Sequence, residues 1–228
     1  MSNSVPKQMS ESLRIGCLLT LAGGFQDAYS YILRGKVFVN AQTSNIVLFA
    51  QNVSERRFEK LPRYILPIFA FIGGIYIAQR IEISFKNNAK IHWRQIVLII
   101  EIILMIISGF LPHRLDFIAN ILLSFVCAMQ ILSFNKFRGN PFATTMCIGN
   151  LRSATENFYS FLRNKDSNFL KKSLLYYFII FCFIVGAIIG DICIELFAKN
   201  AMFVCNIFLM IGFVMMFEEE KESIFKVF

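Results

Sequence analysis

The chain has 228 residues, is 56% hydrophobic but only 17% charged, and carries a net charge of +8; its mean hydropathy is +0.58. Soluble domains hold about 45–50% apolar and about 25% charged residues, so this balance argues against a water-facing enzyme, while 26 Phe and long apolar runs exclude intrinsic disorder. The basic residues fall between the apolar runs, which assigns the positive charge to loops beside anionic headgroups and implies no nucleic acid partner.

The first twelve residues are polar and lack an apolar stretch with a cleavage site, so no cleaved signal peptide is expected. Six stretches are then long and apolar enough to cross a bilayer, which takes about 20 residues each. They run roughly 13–33, 61–81, 93–111, 115–134, 173–197 and 201–217. Two further segments, 38–52 and 141–155, are about half a span long and polar in the middle. Asn40, Gln42, Thr43, Ser44 and Asn45 would be costly against lipid. At membrane depth such segments persist only where protein or a water-filled cavity surrounds them. The expectation is an all-α, polytopic membrane helix bundle: six full spans, two short re-entrant or broken helices, and one integral membrane domain over 1–228.

The two short segments resemble each other. Gln26, Arg34, Gly35 and Phe38 recur 104 positions later as Gln130, Arg138, Gly139 and Phe142, and Asn45 matches Asn150 after one inserted residue. Phe69, Phe71, Ile72, Gly74 and Ile77 likewise match Phe181, Phe183, Ile184, Gly186 and Ile189. We read an internal duplication, copy one about 12–111 and copy two about 115–217. If the short segments re-enter, the second copy is inverted; if they cross, the copies are parallel. Both arrangements occur in transporters.

With re-entry, the N-terminal side holds 15 of the 23 Lys and Arg residues. They are Lys7, Arg14, Arg80, Lys86, Lys90, Arg94, Lys136, Arg138, Arg152, Arg163, Lys165, Lys171, Lys172, Lys221 and Lys226. Either arrangement places both termini in the cytoplasm, and the polarity of the short segments favours re-entry.

Ionisable groups inside spans need a reason. Glu101 sits among apolar residues near the middle of the third span, which fits a proton site, a cation ligand or a carboxyl hydrogen-bonded to a neighbouring helix. Asp27 follows Gly23 and Gly24 and adjoins Gln26, whose repeat match is Gln130. It either lines a central polar site or caps the segment that begins at Phe38. Asn45 and Asn150 occupy matching places in the short segments; they either bind a small polar solute or ion together or satisfy the broken backbone. Arg152 either pairs with Asp27 or Glu101 or anchors at the cytoplasmic interface.

The remaining features read as structural. Asp191 and Glu195 face the other headgroup zone, His92 and His113 are interface residues, and Glu218, Glu219, Glu220 and Glu222 form a solvated tail. The six cysteines form no C-x-x-C pair and read as small hydrophobes. The glycine pairs near 74 and 186 read as packing faces. No nucleotide, hydrolase or metalloprotease motif is present, so neither a metal nor a cofactor is implied.

The run Gly24-Phe25-Gln26-Asp27-Ala28, then Phe38-Val39 and Thr43-Ser44-Asn45, resembles the YoaK family of bacterial membrane proteins. Met129-Gln130, Pro141-Phe142-Ala143-Thr144-Thr145 and Gly149-Asn150-Leu151 extend the resemblance through the second half. Ser44 and Ile148 depart from it, standing where glycine and threonine are usual. The family has no assigned activity. The resemblance implies a multi-pass protein of the bacterial cytoplasmic membrane. The leading functional expectation is a membrane transporter or permease of a small polar solute or ion, not an enzyme, with a homo-oligomer compatible with it. The alternative is a non-transporting scaffold or subunit of a larger membrane complex. An intramembrane enzyme ranks third, since no paired acids or intramembrane His are present.

Overall fold

The first helix, α1 (Leu13–Leu33), starts where the Ser12 side chain accepts from the Ile15 amide at 3.3 Å, and it ends where Gly35 and Lys36 turn the chain with φ of 88° and 62°. A computed structural model describes residues 12–86, 92–137, 140–142 and 144–225. Lys7, Lys90, Arg138, Gly139, Ala143 and Lys226 lie outside the described residues, as do the polar stretch up to residue 11 and the side chains of Glu218, Glu219, Glu220, Lys221 and Glu222.

After α1 come α2 (Gln42–Ser54), α3 (Leu61–Phe85), α4 (Trp93–Phe110), α5 (Asp116–Ser133), α6 (Cys147–Asn164), α7 (Ser167–Phe197) and α8 (Ala201–Phe225). A short ladder pairs Lys136 with Pro141 and Phe137 with Asn140 between α5 and α6; the fold is otherwise all-α. Four helical stretches among the described residues are long and apolar enough to cross a membrane: Phe58–Phe85, Trp93–Phe110, His113–Ser133 and Ser167–Met216. The last contains most of α7 and α8, which reverse direction at Ala198, a residue with φ of 50°.

Cross-helix contacts fix the directions. Gln26 of α1 meets Glu101 of α4, and Arg34 meets Ser108, so α1 and α4 run parallel. Asn120 of α5 bonds Arg34 while Gln130 bonds Leu19, so α5 runs the other way. Leu13 and Cys17 pack near Leu175 and Ile179, and Gly190 lies on Phe25, so α7 is parallel to α1. Cys205 meets Ala22 and Gly212 lies near Leu18, which makes α8 antiparallel to α1.

The helices of the two polar segments begin in the interior; α2 is short at 13 residues, but α6 has 18, as many as α4 and α5, and runs past the expected end at 155 to Asn164. Val39 and Asn40 lie against Asp27, near the middle of α1, and Arg63 at the start of α3 donates to the Gly35 carbonyl at 3.4 Å. Segment 34–60 therefore enters and leaves at one end of the bundle. Thr144 lies against Gln130 of α5, and α6 then runs beside α7, where Ser173 Oγ donates to the Ala154 carbonyl.

The interior is unusually polar. Thr20, Gln26, Asn45, Glu101, Ser108, Ser124, Gln130 and Ser133 are fully enclosed. The outer faces carry apolar rows such as Phe69, Ile72 and Tyr76 on α3, Ile99, Ile103 and Ile107 on α4, and Phe181, Ile184 and Ile188 on α7. A soluble protein reverses that distribution. Lipid tails are as apolar as these rows, so close backbone packing and interior hydrogen bonds hold the helices together.

His92 caps α4 and is not merely an interface residue. Its Nδ1 accepts from the Arg94 amide, and its own amide donates to Gln95 Oε1. Burial, followed by the nearby Arg94 charge, holds its pKa below the ordinary 6.5. The unfolded chain therefore takes up the proton more readily, and stability is lost as pH falls through 6.5 toward the lower folded value. We expect the thermal midpoint to drop across that window, and His92→Asn, which keeps an acceptor at the cap, to flatten the pH profile.

Candidate functional site

The middle of α1 organises the interior. Asp27 Oδ1 accepts from the amides of Val39 and Asn40 at 3.1 and 2.9 Å, and Asn40 Nδ2 donates to the Gly23 carbonyl at 2.9 Å. The carboxylate thus does a cap's work on a chain that has left one helix and not yet entered the next. Asp27→Ala should lower stability by about 2 kcal/mol, because two buried amides lose their acceptor, whereas Asp27→Asn should recover most of the loss. Thermal unfolding of the two variants in the same detergent checks this.

The entry to α6 is held in a similar way by α5. Gln130 Nε2 donates to Thr144 Oγ1 at 3.0 Å and to the Leu19 carbonyl at 3.2 Å. The two entry segments converge on Cys127, whose thiol donates to Asn40 Oδ1 and lies 4.0 Å from Thr145 Oγ1. Gly23 closes the same spot, since a Cβ there would press into the Thr145 side chain.

Beside this junction lies a second polar contact. Gln26 Nε2 donates to Glu101 Oε1 at 3.2 Å and approaches Met105 Sδ at 3.3 Å. Gln26 and Glu101 are both fully buried. Among the described residues Gln26 Oε1 and Glu101 Oε2 have no hydrogen-bond partner, and Gln130 Oε1 has none either.

The other sequence candidates are placed differently. Asn45 is buried and turns onto its own segment, where Nδ2 donates to the Phe38 carbonyl at 2.6 Å and to Gln42 Oε1 at 2.9 Å. Asn150 is buried in the first turn of α6, its amide on the Met146 carbonyl at 3.3 Å. Arg152 is exposed and pairs with Glu156 at 2.8 Å, one turn along its own helix; it joins neither Asp27 nor Glu101. A long guanidinium side chain near the end of the bundle reaches outward more cheaply than into an interior without water.

Sequence reasoning passed over Arg34. Its guanidinium is fully buried and every arm is used: Nε and Nη2 on the Tyr29 hydroxyl, Nη2 on the Ser108 carbonyl, Nη1 on the Leu111 carbonyl and on Asp116 at 2.8 Å. Tyr29 in turn donates to the Lys199 carbonyl, and Asn120 donates to the Arg34 carbonyl. One residue thereby ties α1, α4, α5 and the α7–α8 turn at one end. The recurrence of Arg34 as Arg138 was its only sequence signal. Asn40 stood out only as one polar residue of the first segment, and Cys127, read as a small hydrophobe, proves to be a hydrogen-bond donor.

Parallel and antiparallel helices with polar groups inside and apolar rows outside define a multi-pass integral membrane protein. The chain belongs to the DUF1275 family of proteins of unknown function, whose model matches residues 15–215. No curated protein and no solved structure matches it.

Proposed function

We propose that this protein is a transporter or permease of a small polar solute or ion, built from two inverted repeats with two re-entrant helices at the centre. The observation that carries the reading is the meeting of both short-helix entries at Cys127, with Asn40 on one side and Thr145 on the other. Broken helices that meet inside a bundle bring backbone and amide groups to a place where a solute can be bound and released.

The helix packing supports the duplication. Exchanging α1–α4 for α5–α8 turns the α1–α7 contact into α5–α3, α2–α3 into α6–α7 and α4–α5 into α8–α1, while α4–α8 maps onto itself. Gly74 lies on the Phe125 carbonyl and Gly186 on the Leu21 carbonyl. Those two carbonyl residues are 104 positions apart, the spacing that separates Gln26 from Gln130. The excess of Lys and Arg on the N-terminal side supports cytoplasmic termini in a bacterial inner membrane. The order of motifs supports grouping with the YoaK proteins. In this reading α1 is a span, giving six in all. Gln26, Glu101 and Gln130 contact the cargo or its coupling ion, and Asp27, Asn45 and Asn150 shape the broken segments.

Flux of a library of small solutes into proteoliposomes, with and without a proton gradient, tests the reading. Protein-dependent flux is expected for at least one solute class, and none under any gradient rejects it. The close contacts at Cys127 favour a second reading, a non-transporting scaffold or subunit, in which the same polar groups only hold helices together. Absence of flux together with a stoichiometric co-purifying membrane protein selects that reading.

A further inference from the structure

Two of the unpartnered oxygens belong to one pair of side chains. Gln26 Nε2 already donates to Glu101 Oε1, and the pair's other two oxygens, Gln26 Oε1 and Glu101 Oε2, are both buried and without donors among the described residues. A carboxylic acid and a primary amide are complementary: the amide N–H meets the acid carbonyl, and the acid O–H meets the amide carbonyl. One proton on Glu101 Oε2 satisfies both orphaned oxygens.

The surroundings leave little choice of occupant. The titratable groups whose charges interact with Glu101 are Cys127 on α5 and Cys205 on α8, Asp27 acts on the same Cys127, and none of these supplies a positive charge. Among the groups acting on Glu101 there is no Lys or Arg. The buried guanidiniums are engaged elsewhere, Arg34 in its own five hydrogen bonds and Arg94 on the Ser133 carbonyl. An ionised carboxylate with one amide donor and no cation is poorly tolerated in such an interior. Hard metal cations ask for six or more oxygens, and here two are vacant beside the Met105 sulfur.

We propose that the Glu101–Gln26 pair is a proton-binding site, with the proton carried on Glu101 Oε2 and donated to Gln26 Oε1. Release breaks the Glu101 O–H bond, leaves its electron pair on the carboxylate and passes the proton to water admitted between α1 and α4. In the transport reading, on which only this step rests, that release is the coupling event.

The test is infrared spectroscopy of the full chain in liposomes at neutral pH. The protein should show the C=O stretch of a protonated carboxylic acid, shifted in D2O, lost in Glu101→Gln and insensitive to exchange of Na+ for K+. Gln26→Leu should keep the band but move it toward that of an acid without a hydrogen-bond partner, which tests the pairing even if Glu101→Gln fails to fold. No protonated carboxyl in the native protein, a band unchanged in both variants, or a band abolished by Na+ or K+ overturns the site. The flux assay separates the two proposals: the band without flux leaves the proton site standing and rejects transport. Flux in Glu101→Gln that a proton gradient still drives rejects the coupling step.

Discussion

Replacing Arg34 with Leu should lower stability by about 3 kcal/mol, on the order of 10 °C in the thermal midpoint. The guanidinium is wholly enclosed and makes five hydrogen bonds to four acceptors. Its removal leaves the Ser108 and Leu111 carbonyls and the Tyr29 hydroxyl short of donors, and strands Asp116 beside a cavity. Part of the loss is softened because the Asp116 side chain keeps 25% of its exposure and also faces His113 at 3.5 Å. Arg34→Lys keeps a charge for Asp116 but cannot reproduce the planar fork, so about half of the loss should remain. Asp116→Asn should be milder than either, since the backbone carbonyls keep their donors. Thermal melts of the three variants in one detergent check the order.

Gly74→Val and Gly186→Val should each cost more than about 2 kcal/mol and should lower the yield of monodisperse protein. In each case the added Cβ would run into a backbone carbonyl of the facing helix, Phe125 for Gly74 and Leu21 for Gly186. A side chain can rotate away; a helix backbone cannot move without parting the two most extensive helix contacts, α3–α5 and α1–α7. Gly149 is the control, with open space around its Cβ position and an ordinary helical backbone. Gly149→Ala should leave stability unchanged or raise it by about 0.5–1 kcal/mol, the usual helix-propensity gain. Size-exclusion profiles and melting midpoints of the three variants decide the matter.

The long helices were legible because apolar length speaks directly: 13–33 became Leu13–Leu33, and 93–111 became Trp93–Phe110. The helices of the polar segments begin later than expected, at Gln42 and Cys147, because Asp27 and Gln130 hold residues 39–40 and 144 in bends before the helices start, and α6 then continues to Asn164. Hydropathy has no term for a cap supplied by a side chain twelve or more residues away. Glu101 stood out as a charge in an apolar run, but its contact with Gln26 is a tertiary pairing 75 residues apart that no local pattern signals. Arg34 was hidden by its position at the end of a span, where a basic residue ordinarily reaches for headgroups. Nothing local announces that Ser108, Leu111 and Asp116 will surround it. Arg152 was open to two readings, and of these the structure matches the outward-facing one, with the side chain exposed and paired to Glu156.

The meeting at Cys127 also constrains how the protein is made. Helix α2 has 13 residues, about 20 Å at 1.5 Å per residue, too short and too polar to leave the translocon for lipid unaided. Asp27 can seize the 39–40 entry as soon as α1 is placed, but Asn40 waits for a thiol made 87 residues later. Biogenesis of the first half therefore ends only when the second half has been synthesised, and a ribosome stalled before α5 leaves an incomplete interior for quality control to find.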